Sequence, residues 1–595
     1  MQTKISKPLL LCPPLSDRSA TPMRARSSFG RGREIMRIED ACPGLYTRLR
    51  RRHMKLHRLA VVPIWSVLIW AAPQRPPTPC EVLVPVLDSQ QSVVTATTAE
   101  GKSYPVFRVA AESKTVNQVH HALATSFAQE VLKLDRYARN LTVRRRETTG
   151  AAIEEALSAP MYLLMSTEEG GYARFGFWLE DATRKRRLVL AGYVDLVVRA
   201  DSVDGGGFEE IFSHELGHLI TKTLIGGVPC GQSQKMHQSM TVTDYPTAFY
   251  EGYAEHFQPL ARDATTNAYL RQMSAGTGAM DLELFWLSAA DGQLRSDGVK
   301  RNWFIHRKPI PAIALDANPD LYRLFVDDET STTFLPTELK NGPEMMASEG
   351  VNATLFYRMV NDHRLGQSYR EPAFYKAFVG APVGTPQEAV TPYENVNLKL
   401  FAAMDKLRGR TATGPPIIEL VNEYAGLFPD EAKRIYELFI ETTWGATASQ
   451  EVAAALQHAA AIGHRGDIAL FRQERAFPVL NALIAEVAGG KRMIDANLGP
   501  ELWVVNAGFK IASAVWDTQR TQPLTININT ASVAELMTVP GVDLQMARRI
   551  IAARDARGFF RSLDELSAAG VPNGAMGSLR EMKKAMDQVG CRDRE

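Results

Sequence analysis

The 595-residue chain is poor in cysteine: it has five, at 12, 42, 80, 230 and 591, and no pair at CxxC spacing. That excludes a disulfide-dense scaffold and a cysteine-rich zinc module. It lacks a charge excess of either sign, with 68 Lys or Arg against 66 Asp or Glu and a net of +2. Near-neutrality argues against a dedicated, strongly basic nucleic-acid binder. The uncharged apolar run Leu59 to Ala72 has 14 residues, short of the roughly 20 that a transmembrane helix needs. No repeat of fixed period appears, which argues against a solenoid. What is present is ordinary for globular protein: 45% hydrophobic and 23% charged residues, enough for a sizeable core. The length corresponds to about three or four domains.

The neutral total hides an asymmetry. Residues 1–53 hold 12 Lys or Arg and 4 Asp or Glu, with no apolar period; such a segment buries too little surface to fold. Residues 54–75 then carry Lys55 and Arg58 ahead of the apolar run, the layout of a signal peptide or an uncleaved N-terminal anchor. The protein is thus expected to be exported, reaching a membrane only through that anchor. Residues 1–53 read as a basic disordered extension, with Met54 an alternative start. Beyond residue 75 the balance is 53 basic against 62 acidic residues, so the remainder is acidic.

Residues 76–110 read as a linker followed by short strands. Thr115 to Leu134 has the spacing of an amphipathic helix, and Met161 to Met165, Tyr172 to Leu179 and Leu188 to Val198 have that of strands. A loop, Gly205-Gly206-Gly207, leads into a helix over about Phe208 to Ile225, which Gly226-Gly227 ends. Helix, strands and helix in this order predict an α+β domain at 111–260. Most periodic segments in 261–520 are helical, among them Ala353 to Asn361, Ile417 to Leu427, Asp430 to Thr443 and Gln450 to Ala461.

The helix at 208–225 contains His214-Glu215-Leu216-Gly217-His218. Histidines at i and i+4 project from one face and can bind one metal. Glu215 beside them is placed to activate water rather than to ligate. Ile211, Phe212, Leu216, Leu219 and Ile220 are expected to supply the buried faces. A catalytic zinc takes three protein ligands and a water. A third histidine six residues on is excluded, because Leu224 stands there; the other source is the helix Phe249 to Phe257, with Glu251-Gly252-Tyr253-Ala254-Glu255.

HExxH followed by such a helix resembles the gluzincin metallopeptidases, the group of thermolysin and aminopeptidase N. The resemblance covers about residues 110–260. It implies a thermolysin- or aminopeptidase-like catalytic domain, one Zn2+ on His214, His218 and Glu251, Glu255 orienting a ligand histidine, and Glu215 as general base in peptide hydrolysis. His256 competes for ligation, but five residues from Glu251 it leaves that face. Thirty-two residues separate His218 from Glu251, more than the group's usual spacing, which implies an inserted segment at 221–246 containing Cys230 and His237. The exopeptidase motif GxMEN is absent, so endopeptidase activity on a peptide or protein substrate is expected. The strand Tyr193 to Val198 would lie along the cleft and offer its edge to extended substrate. For the oxyanion, Tyr357 is the candidate donor, with Tyr253 and His363 as others.

Residues 524–566, from Leu524-Thr525-Ile526-Asn527 through Val539-Pro540-Gly541-Val542 to Leu563-Asp564-Glu565-Leu566, closely resemble the helix-hairpin-helix domain of DNA-uptake competence proteins. Thr530 or Ser532 can cap a helix with Glu535 in its first turn, and Leu544 to Ala553 is a second helix. The resemblance implies phosphate contact by hairpin backbone groups at Gly541 and Val542. Three features oppose it: Asp543 stands where a second glycine is usual, the second hairpin Gly570-Val571-Pro572-Asn573-Gly574 is irregular, and residues 524–595 hold ten basic against nine acidic residues. A structural or protein-contact role is therefore favoured over DNA binding. The whole reads as an exported zinc metallopeptidase with a helical subdomain at 261–520 and a small all-α helix-hairpin-helix appendage at 524–595. The alternative is a non-catalytic exported binding protein with a structural metal site.

Overall fold

Runs of β-branched and aromatic residues between 80 and 196 make one mixed sheet. In the computed structural model, residues 80–586 are described, apart from 125, 151–156, 168–169, 205, 228–230, 236, 266–270, 272–287, 309–334, 411–413, 467–468, 471–475 and 515–516. The expected basic extension (1–53) and signal or anchor (54–75), with Cys230, lie outside the described residues. Among those described, no helix is long and apolar enough to cross a membrane.

The strands are β1 (Cys80–Pro85), β2 (Thr95–Thr97), β3 (Ser103–Val109), β4 (Met161–Met165), β5 (Gly171–Glu180) and β6 (Arg186–Leu196). Their order is β1-β4-β6-β5-β3-β2, and β1 also pairs back onto β3, so five strands close into a ring with β2 on its outside. The period of two sorts the side chains. Leu83, Phe107, Tyr162, Leu164, Phe177 and Tyr193 fill the ring, with Phe177 centred 5.0 Å from Tyr162 and 5.5 Å from Tyr193. Val82, Leu163, Val194 and Leu196 point outward into the main helical core.

The interior place of β6 corrects one expectation. Tyr193 to Leu196 pair with Tyr162 to Met165 on one side and with Gly171 to Arg174 on the other. The strand before the motif helix has no free edge for a substrate strand.

Helices α1 (Lys114–Ala124) and α2 (Ser126–Thr149) carry the expected stripe. It runs on past Leu134 because Tyr137, Ala138 and Thr142 are also buried. The motif helix is α3 (Gly207–Ile225), followed by α4 (Tyr245–Glu255), α5 (Phe257–Ala264) and α6 (Glu349–Val360). Ile211, expected to be buried, is instead 43% exposed. The short pair β7 (His306–Arg307) and β8 (Leu335–Leu339) precedes α6. The expected helical region is realised in α7 (Pro392–Leu407), α8 (Pro416–Leu427), α9 (Ala432–Thr443), α10 (Gln450–His464) and α11 (Ala476–Ala488).

The C-terminal region is neither all-α nor an appendage. A hairpin, β9 (Trp503–Ala514) and β10 (Asp517–Asn527), runs into α12 (Val533–Met537), α13 (Leu544–Arg557) and α14 (Asn573–Met586). Val504, Ile511, Leu524 and Ile526 of the hairpin share one core with Leu536, Ile550, Leu566 and Leu579. The region belongs to the same compact unit, Trp70–Glu595, as all the other described elements.

Candidate metal centre

The motif helix is buried on nearly every side, since Phe212, Leu216, Ile220 and Leu224 are all inaccessible. Its first turn carries Glu209 and Glu210, and its end folds back through Gly226 N–H to Lys222 O, the expected complement to the helix dipole and C-terminus. Arg262 of α5 pairs with the buried Glu210 at 2.7 Å, which ties α5 to α3. Helix α4 starts at Asp244, whose carboxylate accepts from Thr247 N at 2.8 Å. Close approach then brings the helices together. A Cβ on Gly217 would lie 3.0 Å from Ala254 Cα, and one on Gly252 would lie 2.5 Å from Asn352 Cβ. The glycine in each motif lets α4 wedge between α3 and α6.

This packing brings the expected ligands together. His214 Nε2 and His218 Nε2 are 3.2 Å apart. Glu251 Oε2 lies 3.5 Å from the first and 3.2 Å from the second. Donor atoms about 2.0–2.1 Å from a tetrahedral zinc are spaced roughly 3.3–3.4 Å apart, so the three atoms form one face of such a tetrahedron. Glu251 Oε2 is buried and makes no hydrogen bond among the described residues, an atom left for a cation. Burial pushes the His214 imidazole down to about 4. Burial also works to raise the Glu251 carboxyl, but His237 and His218 outweigh it and hold it well below the usual carboxylate range. Burial works to lower the His218 imidazole too, but the Glu251 and Glu215 carboxylates outweigh it and hold it above its ordinary value. Of the pair, His214 is the one kept in the neutral form that ligates metal, beside an ionised Glu251.

Glu215 faces the sheet side of the same helix and is buried, which pushes its carboxyl up to about 7, the range suited to a general base near neutral pH. Gly171 of β5 backs it: a Cβ there would lie 2.7 Å from Glu215 Oε1. The ring of His218 stacks on Tyr250 at 4.3 Å.

Several expected roles move. Glu255 does not orient a ligand histidine: it is fully buried and accepts from Ser239 Oγ at 2.5 Å, and burial beside Glu349 pushes its carboxyl well up. Gln258 of α5 takes the orienting place, its Nε2 standing 3.2 Å from His214 Nδ1. His256 is off the face, as its offset implied, with Nδ1 against Tyr253 O. None of the oxyanion candidates reaches the triad. Tyr357 donates to Asp263 at 3.0 Å, about 12 Å along α6 from its first residue. Tyr253 packs its ring among His256, Phe257 and Phe356, and His363 lies exposed at the start of a surface helix.

Two residues that sequence reasoning did not place at the site stand beside the triad. His237 Nδ1 is 3.4 Å from Glu251 Oε2 and 3.4 Å from Glu349 Oε2. His237 was visible as part of the inserted segment, but no spacing rule joins it to Glu251. Glu349, 98 positions further along, reads in sequence only as an acid in a helix's first turn.

The C-terminal region packs its charged groups inward. Of the two expected caps Ser532 serves α12, and with Glu535 it forms a capping box. Gly541 is left-handed (φ 86°) and Val542 is buried, but Asp543 caps α13, its carboxylate accepting from Met546 N at 2.7 Å. The helix end that would meet a phosphate at Gly541 and Val542 already holds an anion of its own. Arg554 is 1% exposed and bonds Glu344 at 3.0 Å. Arg307 joins Glu344 at 2.8 Å to Asp555 at 2.7 Å. Lys235 bonds Glu535 at 3.0 Å, and Gln234 N donates to Thr525 Oγ1 at 2.9 Å. Both belong to the segment that carries His237.

No curated protein and no solved structure matches the chain. A model of the helix-hairpin-helix motif matches residues 523–570, so this part of the chain, β10 to α13 and the turn beyond, carries that motif.

Proposed function

We propose that the chain is a zinc-dependent peptide hydrolase of the HExxH…E type, with His214, His218 and Glu251 as ligands and Glu215 as general base. The observation that carries this reading is the tetrahedron-face spacing of three buried ligand atoms with a buried carboxylate next to them. A metal bound there supplies Lewis-acid polarisation of a carbonyl and acidifies water. Glu215 takes a proton from the attacking water and hands it to the leaving amine nitrogen, so it must stay within hydrogen-bond reach of both. Gln258 holds the His214 ring in orientation, a role whose loss typically costs 10–100-fold in metal affinity. A structural metal site needs no such base, which is why Glu215 favours the enzyme over a non-catalytic binding protein. Endopeptidase action and export through residues 54–75 belong to the same proposal.

For the helix-hairpin-helix region we propose an internal structural role: Asp543 fills the phosphate position, and Arg554 is spent on Glu344. A gel-shift series across salt tests this, since phosphate binding would give salt-sensitive retention of DNA.

The metal reading is tested on the purified full chain. Zinc is expected to bind, and Glu215→Gln is expected to keep the metal while peptide or casein cleavage falls by about 10²–10⁴-fold. Full cleavage by that variant sinks the mechanism.

A further inference from the structure

We propose that His237, Glu251 and Glu349 form a second divalent-cation position, sharing Glu251 with the first so that the centre holds two metals. The proposal rests on the reading of His214, His218 and Glu251 as a metal site and extends it.

The three residues come from three separate parts of the fold. Glu251 is on α4, Glu349 opens α6, and His237 lies in the segment inserted between α3 and α4. His237 Nδ1 stands 3.4 Å from each carboxylate. A charge-assisted N–H···O contact closes to about 2.7–2.9 Å; elsewhere in this molecule such contacts do close, as between Arg307 and Asp555 at 2.7 Å. Here the His237–Glu349 contact is a long hydrogen bond at 3.4 Å, and the His237–Glu251 contact, also 3.4 Å, is no bond; both keep close to the spacing of ligand atoms around a common ion, about 3.3–3.4 Å. Glu251 Oε2 has imidazole nitrogens at 3.2, 3.4 and 3.5 Å and bonds none of them. An oxygen placed this way serves both positions.

Neighbouring contacts fix the set. Gly350 N donates to Ser239 O at 3.1 Å, tying the start of α6 to the segment just after His237. On the other side, Ser233 N is held by Asp244 Oδ2 at 2.8 Å and Lys235 by Glu535 at 3.0 Å. The two positions differ in access. The carboxylates are 5–7% exposed at their side chains, but His237 is 42% exposed. The second position therefore opens to solvent, where water or substrate completes the coordination. One imidazole with two carboxylates suits a borderline-to-hard divalent ion, zinc or manganese. Two metals joined by a carboxylate sit about 3.5–4 Å apart and clamp the attacking and leaving atoms of one displacement.

The test is metal stoichiometry on the folded full chain. Metal-free protein is titrated with Zn2+, and in parallel with Mn2+, by equilibrium dialysis and elemental analysis; far-ultraviolet circular dichroism checks that each variant folds. Wild type is expected to bind two equivalents of Zn2+. His237→Asn and Glu349→Gln are each expected to keep one equivalent and weaken the other at least tenfold. His214→Ala is expected to lose the other equivalent instead. In cobalt-loaded protein, His237→Asn should change the visible absorption of the second equivalent added and leave that of the first. One equivalent in wild type, unchanged by His237→Asn and Glu349→Gln, overturns the second position and leaves the first standing. One equivalent that His237→Asn merely releases faster to a chelator makes His237 a further ligand of a single ion and also overturns it. No zinc in wild type at all removes the first site, and the second with it.

Discussion

The candidate metal centre and the C-terminal interface both bury charge, and they do it in opposite ways. At the interface the named partners close to hydrogen-bond length: Arg554 to Glu344 at 3.0 Å, Arg307 to Asp555 at 2.7 Å, Lys235 to Glu535 at 3.0 Å. At the centre, donors stand 3.2–3.5 Å around Glu251 Oε2, which bonds none of them. The first pattern is a joint, with each charge neutralised by the chain itself. The second has the spacing that the proposed ligand shell needs, where a neutralising charge would come from outside. The two are alike in burial and differ by a few tenths of an ångström, so burial alone does not separate structure from function.

That contrast can be broken from either side. The largest stability effect is expected at the joint. Lys235→Met leaves Glu535 buried without its cation and should cost about 3–5 kcal/mol in chemical denaturation. Adding Glu535→Leu should recover most of this, short of the roughly 1 kcal/mol that the capping box contributes. If the single variant costs nothing, the pair is not a joint. At the centre the sign reverses. Zinc at about 100 times its Kd should stabilise wild type by about 2.7 kcal/mol, read as a rise in Tm, and His218→Ala should abolish the rise. An equal shift in that variant would place the metal elsewhere. Gly171→Ala drives a methyl against Glu215 Oε1 and should lower peptide cleavage about 10–100-fold with metal content unchanged; full activity would separate Glu215 from the chemistry.

The last effect is read as a slope, and it is the smallest over any single pH unit. Lys340 follows β8 and donates to Ser348 Oγ at 2.6 Å; burial pushes it down to about 7 from an ordinary 10.5. Between those values the unfolded chain binds a proton that the folded chain lacks. Stability should therefore rise with pH through that window, by at most about 1.4 kcal/mol per pH unit. Lys340→Met should flatten the slope.

Local features were legible in sequence. Gly226 and the apolar spacing bounded α3 to within a residue, Met161–Met165 is a strand as expected, and Ser532 caps α12. The histidine pair was legible because helix geometry ties spacing to direction, and Glu251 through the resemblance carried by its own helix motif. What failed was long-range. The pairing of β6 with β4 on one side and β5 on the other removed the substrate edge, and nothing in the strand's own pattern encodes its place in the sheet. The β9–β10 hairpin was missed inside a region read as helical. Gln258 replaced Glu255 because the angle between α4 and α5 decides which side chain meets His214. His237 and Glu349 meet only through contacts 112 residues apart.

The anchors of the His237 segment carry a consequence for biosynthesis. Gln234 waits for Thr525, 291 residues later, and Lys235 for Glu535, 300 later. At about 5–20 residues per second the ribosome needs roughly 15–60 s to supply them. Through that interval the nascent chain holds both helices of the histidine and glutamate motifs but not the joints that fix His237. A chain stopped before residue 525 would hold both motif helices without either of these two bonds to the His237 segment.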